Sequence, residues 1–157
     1  MSKSSAVLAF DMGASSGRAL LGEITSSDHD SPGMLKITEI HRFANIPVQM
    51  GEHLHWNFPM LLQEVKHGIR KAFQAGHQPV SYAIDSWGVD YGLIDCNGEL
   101  IGVPYHYRDL RTEGMVKETC EQVGKERLFQ ESGLQFMPFN TIFQLNAMLK
   151  SQSPMLD

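Results

Sequence analysis

Cysteine is scarce in this chain: Cys96 and Cys120 are the two present in 157 residues. Their separation fits neither a paired metal-ligand motif nor the framework of a disulfide-rich secreted domain, so a reducing, cytoplasmic setting is expected. Long apolar runs are missing too. The start, Met1 to Ser5, is polar and lacks the apolar core of a signal peptide, and no stretch approaches the roughly 20 apolar residues of a membrane span. Neither secretion nor a membrane partner is expected. Positive charge is in deficit, with 13 Lys and Arg against 18 Asp and Glu and a formal charge of -5. A sequence-independent grip on nucleic acid needs clustered basic residues, so nucleic acid is excluded as a partner, and any anionic ligand needs a local site. Internal repeats, low-complexity blocks and linker-like segments are also lacking, which predicts one domain over 1–157.

What remains is ordinary globular material, 42% apolar and 20% charged, in a chain long enough for one sizeable core. Ala6 to Phe10 is an apolar run closed by Asp11 and a Gly/Ser cluster, which reads as a buried strand ending in a turn. Arg18 to Ile24 and the alternating Leu35 to His41 read as a second and third strand, with Thr25 to Gly33 a surface loop between them. From Phe58 to Ala75, Leu61, Leu62, Val65, Ile69, Ala72 and Phe73 recur at helical spacing, with Asn57 as N-cap and Gly76 past the end. Val80 to Ile84 and Tyr91 to Ile94 read as strands, and Asn97-Gly98 marks a hairpin turn. Thr112 to Val123 and Lys125 to Glu131 are amphipathic. Asn140 is placed to cap a last helix in which Ile142, Leu145, Met148 and Leu149 share a face.

Asp11-Met-Gly-Ala-Ser-Ser-Gly-Arg18 is the most informative stretch. Glycine tolerates backbone angles closed to other residues. A tight turn between Gly13 and Gly17 would therefore gather successive N–H groups and the hydroxyls of Ser15 and Ser16 into one concavity suited to phosphate. The segment lacks the Gly-Lys-Ser/Thr ending of a P-loop and the spacing of a dinucleotide motif, and a strand follows it where both of those motifs open a helix. A strand-turn-strand phosphate loop is the remaining nucleotide reading, with Arg18 supplying positive charge and Asp11 a hard oxygen for Mg²⁺. On these residues alone, an ordinary hairpin with a Gly/Ser turn competes with it.

A second cluster, Ile84-Asp-Ser-Trp-Gly-Val-Asp-Tyr91, joins two carboxylates, an indole and a bare glycine. These are the parts of a sugar site: an aromatic face, acceptors for hydroxyls, and backbone open to a ligand. The competing reading makes Trp87 a core residue and Asp85 and Asp90 turn caps. Tyr105-His-Tyr-Arg-Asp-Leu-Arg111 fits a recognition loop, or a surface held by ion pairs among Arg108, Asp109 and Arg111. His53 and His55 stand close in sequence, but no third and fourth ligand follow at a metal-site spacing.

Taken in order, Phe10 to Arg18, Glu39-Ile-His-Arg-Phe43, Ile84 to Asp90, Tyr107-Arg-Asp-Leu-Arg-Thr112 and Gly133-Leu-Gln-Phe-Met-Pro-Phe-Asn-Thr141 resemble the opening of the FGGY carbohydrate kinases. The resemblance runs over nearly the whole chain. The doubled serine and the Ser-Trp-Gly-Val-Asp segment are closer to the branch acting on L-rhamnulose than to glycerol or xylulose kinases. The resemblance implies an α/β, ribonuclease H-like (actin-type ATPase) fold, a mixed β-sheet flanked by helices, with ATP and sugar in a cleft between two such domains. Residues 1–157 would be an incomplete amino-terminal domain. The second domain, the general base, the second phosphate loop and the adenosine pocket would lie beyond residue 157. By position, Ala14, Ser15, Ser16, Gly17 and Arg18 would face ATP phosphates, Asp11 would serve Mg²⁺ and Gly88 would touch the sugar. Trp87, Asp90, Tyr107, Asp109 and Phe139 are further pocket candidates. The piece alone is expected to be inactive and the parent monomeric. Another FGGY sugar or polyol kinase, and a non-catalytic actin-like nucleotide-binding module, are the competing functions.

Overall fold

A computed structural model describes residues 5–25 and 33–156, so most of the expected Thr25–Gly33 loop lies outside the described residues. The chain forms two compact units, the first from residues 1–46 and 57–87 and the second from 47–56 and 88–157. Each unit buries apolar side chains of its own.

In the first unit, β1 (Ser5–Met12), β2 (Ser16–Thr25), β3 (Met34–Ala44) and β6 (Ser81–Asp85) form a sheet in the order β3-β2-β1-β6. The first three strands meander antiparallel and β6 adds parallel to β1, which makes the sheet mixed. Strand alternation is plain in β1 and β2: Ala6, Leu8, Phe10, Met12, Ala19 and Leu21 are buried. These residues meet α1 (Phe58–Gln74), whose first turn is held by Met60 N–H donating to the Asn57 side chain at 3.4 Å. The buried stripe of α1 is Leu61, Val65, Gly68 and Ala72, narrower than its apolar spacing predicts, and Leu62 and Phe73 are exposed. Gly68 explains the close fit. A Cβ there would stand 2.7 Å from Phe10 Cε1 and 3.0 Å from Ala19 Cβ, so a bare backbone lets the helix lie on the sheet.

β3 carries a bulge: Ala19 pairs with His41 but Leu20 pairs with Glu39, leaving Ile40 as the extra residue. The bulge reverses the alternation of β3, so His41 and Phe43 share a face with Ala19 and Gly17. That face is the one α1 covers.

The second unit opens with β4 (Val48–Met50) and β5 (His53–His55), a short hairpin the sequence does not announce. β7 (Leu93–Ile94) and β8 (Leu100–Ile101) form the expected hairpin, with Gly98 at φ 83° and the Asp95 carboxylate accepting from the N–H groups of Asn97 and Glu99. A 3₁₀ turn (Leu110–Thr112) leads to α2 (Met115–Val123), α3 (Lys125–Ser132) and α4 (Thr141–Lys150). Met115, Phe143 and Ala147 pack together with Val116 and Phe136. The buried face of α4 is Phe143, Gln144, Ala147 and Met148, whereas Ile142 and Leu149 of the expected face are exposed. A buried glutamine displaces the apolar pattern. Asn140 precedes α4, yet its side chain donates to Gln135 O instead of capping the helix. Among the described residues no helix is long and apolar enough to cross a membrane.

Candidate functional site

β1 and β2 meet at a tip made of Gly13, Ala14 and Ser15. Gly13 N–H closes the turn onto Ser16 O at 2.9 Å. Asn45, just past β3, braces the tip twice: its N–H donates to Ser15 O at 3.0 Å and its side-chain Nδ2 to Gly13 O at 2.8 Å. Carbonyls of the tip are thereby tied back toward β3. The N–H groups of Ala14 and Ser15 and the hydroxyls of Ser15 and Ser16 take no acceptor among the described residues. Donors left over at one end of a hairpin are what an anion binds.

The expected reason for Gly13 and Gly17 does not hold. Neither has a positive φ, and close approach is what excludes a side chain at both. A Cβ on Gly13 would stand 2.9 Å from Ser16 O, and one on Gly17 would stand 2.2 Å from Phe43 Cζ.

Asp11 and Arg18 face each other across the hairpin, and Arg18 donates to Asp11 Oδ2 from Nε at 2.9 Å and from Nη2 at 2.7 Å. At this level the sheet carries a row of charge: Arg42 beside Arg18, Arg18 beside Asp11, and Asp11 beside Asp85 on β6. The pair is about half exposed, so it adds little to stability and stays open to exchange of partners. An accessible carboxylate at a strand end, next to uncommitted N–H donors, fits a hard cation that accompanies phosphate. Trp87, where the first unit ends, is half-buried, so it is not the core residue of the competing reading.

The remaining candidates lie in the second unit, where Asp90 is a hub. Its Oδ2 accepts from Trp56 Nε1 at 2.5 Å and from Tyr107 N–H at 3.0 Å, while Oδ1 accepts from Gln144 Nε2 at 2.9 Å. Gln144 is buried, and its Nε2 also donates to Phe139 O at 2.9 Å while its Oε1 accepts from Arg111 Nη2 at 2.6 Å. The Tyr107 ring meets Phe139 edge-on at 6.0 Å and stacks on His106 at 4.5 Å. Asp90, Tyr107 and Phe139 are therefore brought together, with both Asp90 oxygens committed to protein donors. Asp109 is buried and equally committed: Oδ2 accepts from Leu54 N–H at 2.6 Å, and Oδ1 from Arg111 N–H at 3.0 Å as cap of the 3₁₀ turn. Gly88 is exposed and lines a cavity of about 290 Å³ with Val89, Leu134, Phe136, Asn140 and Phe143. No atom lies within 4 Å of the point where its Cβ would stand, so this stretch of backbone is open to a ligand.

His53 Nδ1 lies 3.2 Å from Asp109 Oδ1 and His55 Nδ1 lies 3.0 Å from Val103 O, so the two imidazoles serve different partners. Buried His106 accepts at Nδ1 from Arg108 N–H at 3.0 Å, and desolvation holds its pKa below the ordinary histidine value, against the pull of Asp90 and Asp109. Asn45 and Gln144 are absent from the sequence-based candidates, and His106 figures there only as a member of the Tyr105–Arg111 stretch. A lone polar residue amid apolar spacing, as Gln144 is in α4, was the one available signal.

The fold is that of sugar kinases. A gluconate kinase from Lactobacillus acidophilus matches 98% of this chain and 30% of its own length, with a TM-score of 0.75 at 10% identity. A ligand-bound xylulose kinase from the same organism gives a TM-score of 0.73 at 11% identity over 96% of this chain and 29% of its own. These neighbours carry the actin-like ATPase architecture that the resemblance implied.

In sequence the chain is similar to rhamnulokinases. That of Pectobacterium atrosepticum is 40% identical over 151 residues, 96% of this chain and 30% of the relative. That of Halalkalibacterium halodurans is 44% identical over 147 residues, 94% of this chain and 30% of the relative. The chain thus spans about 30% of the length of the curated relatives it matches. No family model matches the chain.

Proposed function

We propose that this chain is part of an ATP-dependent sugar kinase of the rhamnulokinase kind, contributing one phosphate loop and part of the sugar pocket. The observation that carries the reading is the β1–β2 tip, where N–H groups and hydroxyls that take no acceptor among the described residues stand close in sequence to the accessible Asp11 carboxylate. The whole protein would transfer the γ-phosphate of ATP to the 1-hydroxyl of L-rhamnulose. In that reaction Ala14, Ser15, Ser16 and Gly17 face the phosphates through backbone and hydroxyl donors, and Arg18 exchanges its bond with Asp11 for one with a phosphate oxygen. Asp11 would hold Mg²⁺, which when bound neutralises charge on the phosphate oxygens.

On the sugar side, the exposed backbone at Gly88 and the rings of Tyr107 and Phe139 are the groups placed to touch a ketose. Asp90, with its oxygens already engaged, positions Tyr107 directly and Phe139 through Gln144, while Asp109 ties the turn at Arg111 to Leu54. Phosphoryl transfer depends on positioning and electrostatic stabilisation, so the general base, the second phosphate loop and the second domain fall to the remaining length of a kinase as long as the relatives. The present residues form part of its amino-terminal domain and are inactive alone. A monomeric enzyme in the cytoplasm is the expected setting.

The test is a chimera joining this chain to the complementary part of the P. atrosepticum rhamnulokinase, assayed with ATP against L-rhamnulose, D-xylulose, gluconate and glycerol. Rhamnulose-dependent ADP release, lost on Asp11→Ala and missing for the chain alone, is expected. A folded, active chimera indifferent to Asp11→Ala would refute the loop assignment, and a preference for another substrate would refute the sugar.

A further inference from the structure

We propose that His41, Glu64 and His67 form a binding site for a borderline divalent transition ion, Zn²⁺ being the best match. The site lies away from the hairpin tip and rests on no part of the kinase reading. Its construction starts in the sequence: Glu64 and His67 are one turn apart on α1, and the bulge at Ile40 turns His41 onto the face that α1 covers. One ligand atom from each residue falls within 4.8 Å of the others. His41 Nε2 stands 2.5 Å from Glu64 Oε2, and His67 Nδ1 stands 3.7 Å from the same oxygen. Tetrahedral zinc with bonds of about 2.0–2.2 Å sets its ligand atoms roughly 3.3 Å apart. The observed distances straddle that value, so side-chain rotation suffices to seat the ion.

Burial is graded across the site: the side chains of His41, Glu64 and His67 are 10%, 21% and 39% exposed. The open side, next to His67, is where a fourth ligand such as water would enter. Two imidazoles and one carboxylate favour a borderline ion over Mg²⁺ or Ca²⁺, which prefer all-oxygen shells.

Lys71, one turn beyond His67 on α1, competes with the ion. Its Nζ lies 2.8 Å from His41 Nδ1. An ammonium only donates, so Nδ1 accepts and the ring proton sits on Nε2, pointing at Glu64. Metal at Nε2 needs the opposite tautomer: the proton leaves Nε2, one is taken up at Nδ1, and Lys71 must withdraw because two donors would then face each other.

The test is titration of chelator-stripped protein with Co²⁺, followed by its visible ligand-field absorption, then displacement by Zn²⁺, with stoichiometry from equilibrium dialysis. One ion per chain is expected. His41→Ala and His67→Ala should each weaken binding by at least about tenfold. Lys71→Gln should tighten it severalfold, because an amide oxygen accepts the Nδ1 proton. The double variant His53→Ala/His55→Ala should bind as the parent does. Circular dichroism checks folding, and His67→Ala, at the solvent-exposed edge of the site, keeps the test decisive should His41→Ala unfold. No stoichiometric ion in the parent, binding unchanged in His67→Ala, or loss of binding in the His53/His55 variant would overturn the site. Weaker binding in Lys71→Gln would overturn the competition.

Discussion

Gly17→Ala tests how the hairpin tip is held. The added methyl would stand 2.2 Å from Cζ, 2.7 Å from Cε2 and 2.9 Å from Cε1 of Phe43, so the ring must retreat by about 1.2 Å to reach ordinary contact at 3.4 Å. Phe43 is buried, with the His41 ring 5.7 Å away, so the ring would retreat against packed neighbours. Overpacking of this kind costs about 1–3 kcal/mol. Urea denaturation should therefore show a lower midpoint with an unchanged slope. Phe43→Leu shortens the obstructing side chain, so the double variant should recover much of the stability lost by Gly17→Ala alone, a coupling that two independent losses would not produce. Nucleotide affinity measured in the chimera should follow the same order, because Gly17 adjoins Ser16 of the tip. A Gly17→Ala protein as stable as the parent, or a double variant whose losses simply add, would refute the packing explanation.

Three further outcomes are expected. Gln144→Leu removes one partner each from Asp90 Oδ1, the Phe139 carbonyl and the Arg111 guanidinium; the cost should be about 2–4 kcal/mol by denaturation, well above that of a surface glutamine. His106 has a depressed pKa in the folded chain, so the unfolded chain takes up its proton first as pH falls. Stability should therefore be full above the ordinary histidine value of 6.5 and be lost as pH drops through and below it, and His106→Gln should flatten that part of the profile. Ile84→Lys on exposed β6 should reduce self-association of the isolated chain, read by light scattering across a concentration series; a parent that stays monomeric throughout would contradict this.

Much of the first unit was legible because its signals are local. Strand alternation in β1 and β2, the spacing of α1 and the Gly/Ser tip each depend on neighbours within a few residues. The β4–β5 hairpin was not legible, since three-residue strands beside Pro47 and Gly51 carry no period to read. The bulge at Ile40 left a trace that was passed over: after Leu35-Lys-Ile-Thr38 the polar Glu39 breaks the alternation and puts Ile40 out of phase, but the slip itself is defined only relative to β2. At the site, the turn between Gly13 and Gly17 was foreseen, but the Asp11–Arg18 pair across it was not, and the reason for the glycines was misjudged: Gly13 lies against Ser16 O, and Gly17 against Phe43, which is far away in sequence and near in space. Asn45 was invisible as a single polar residue, and Gln144 showed only as a polar interruption of the apolar spacing of α4. Their importance comes from the atoms they meet, and the same holds for Asp90, whose place among ligand candidates rested on carboxylate chemistry that Trp56, Tyr107 and Gln144 already absorb.

β6 has one further consequence. Val80 just before it, and Tyr82 and Ile84 within it, are 74%, 65% and 53% exposed, and one rim of the strand has no neighbour among the described residues. Such a border is chemically an interior strand without its cover, able to accept another parallel strand through its backbone and a further layer over its side chains. The handling of this polypeptide in the laboratory, from inclusion-body formation to its response to detergent or to a supplied complementary fragment, should therefore be governed by these few residues more than by anything at the phosphate tip.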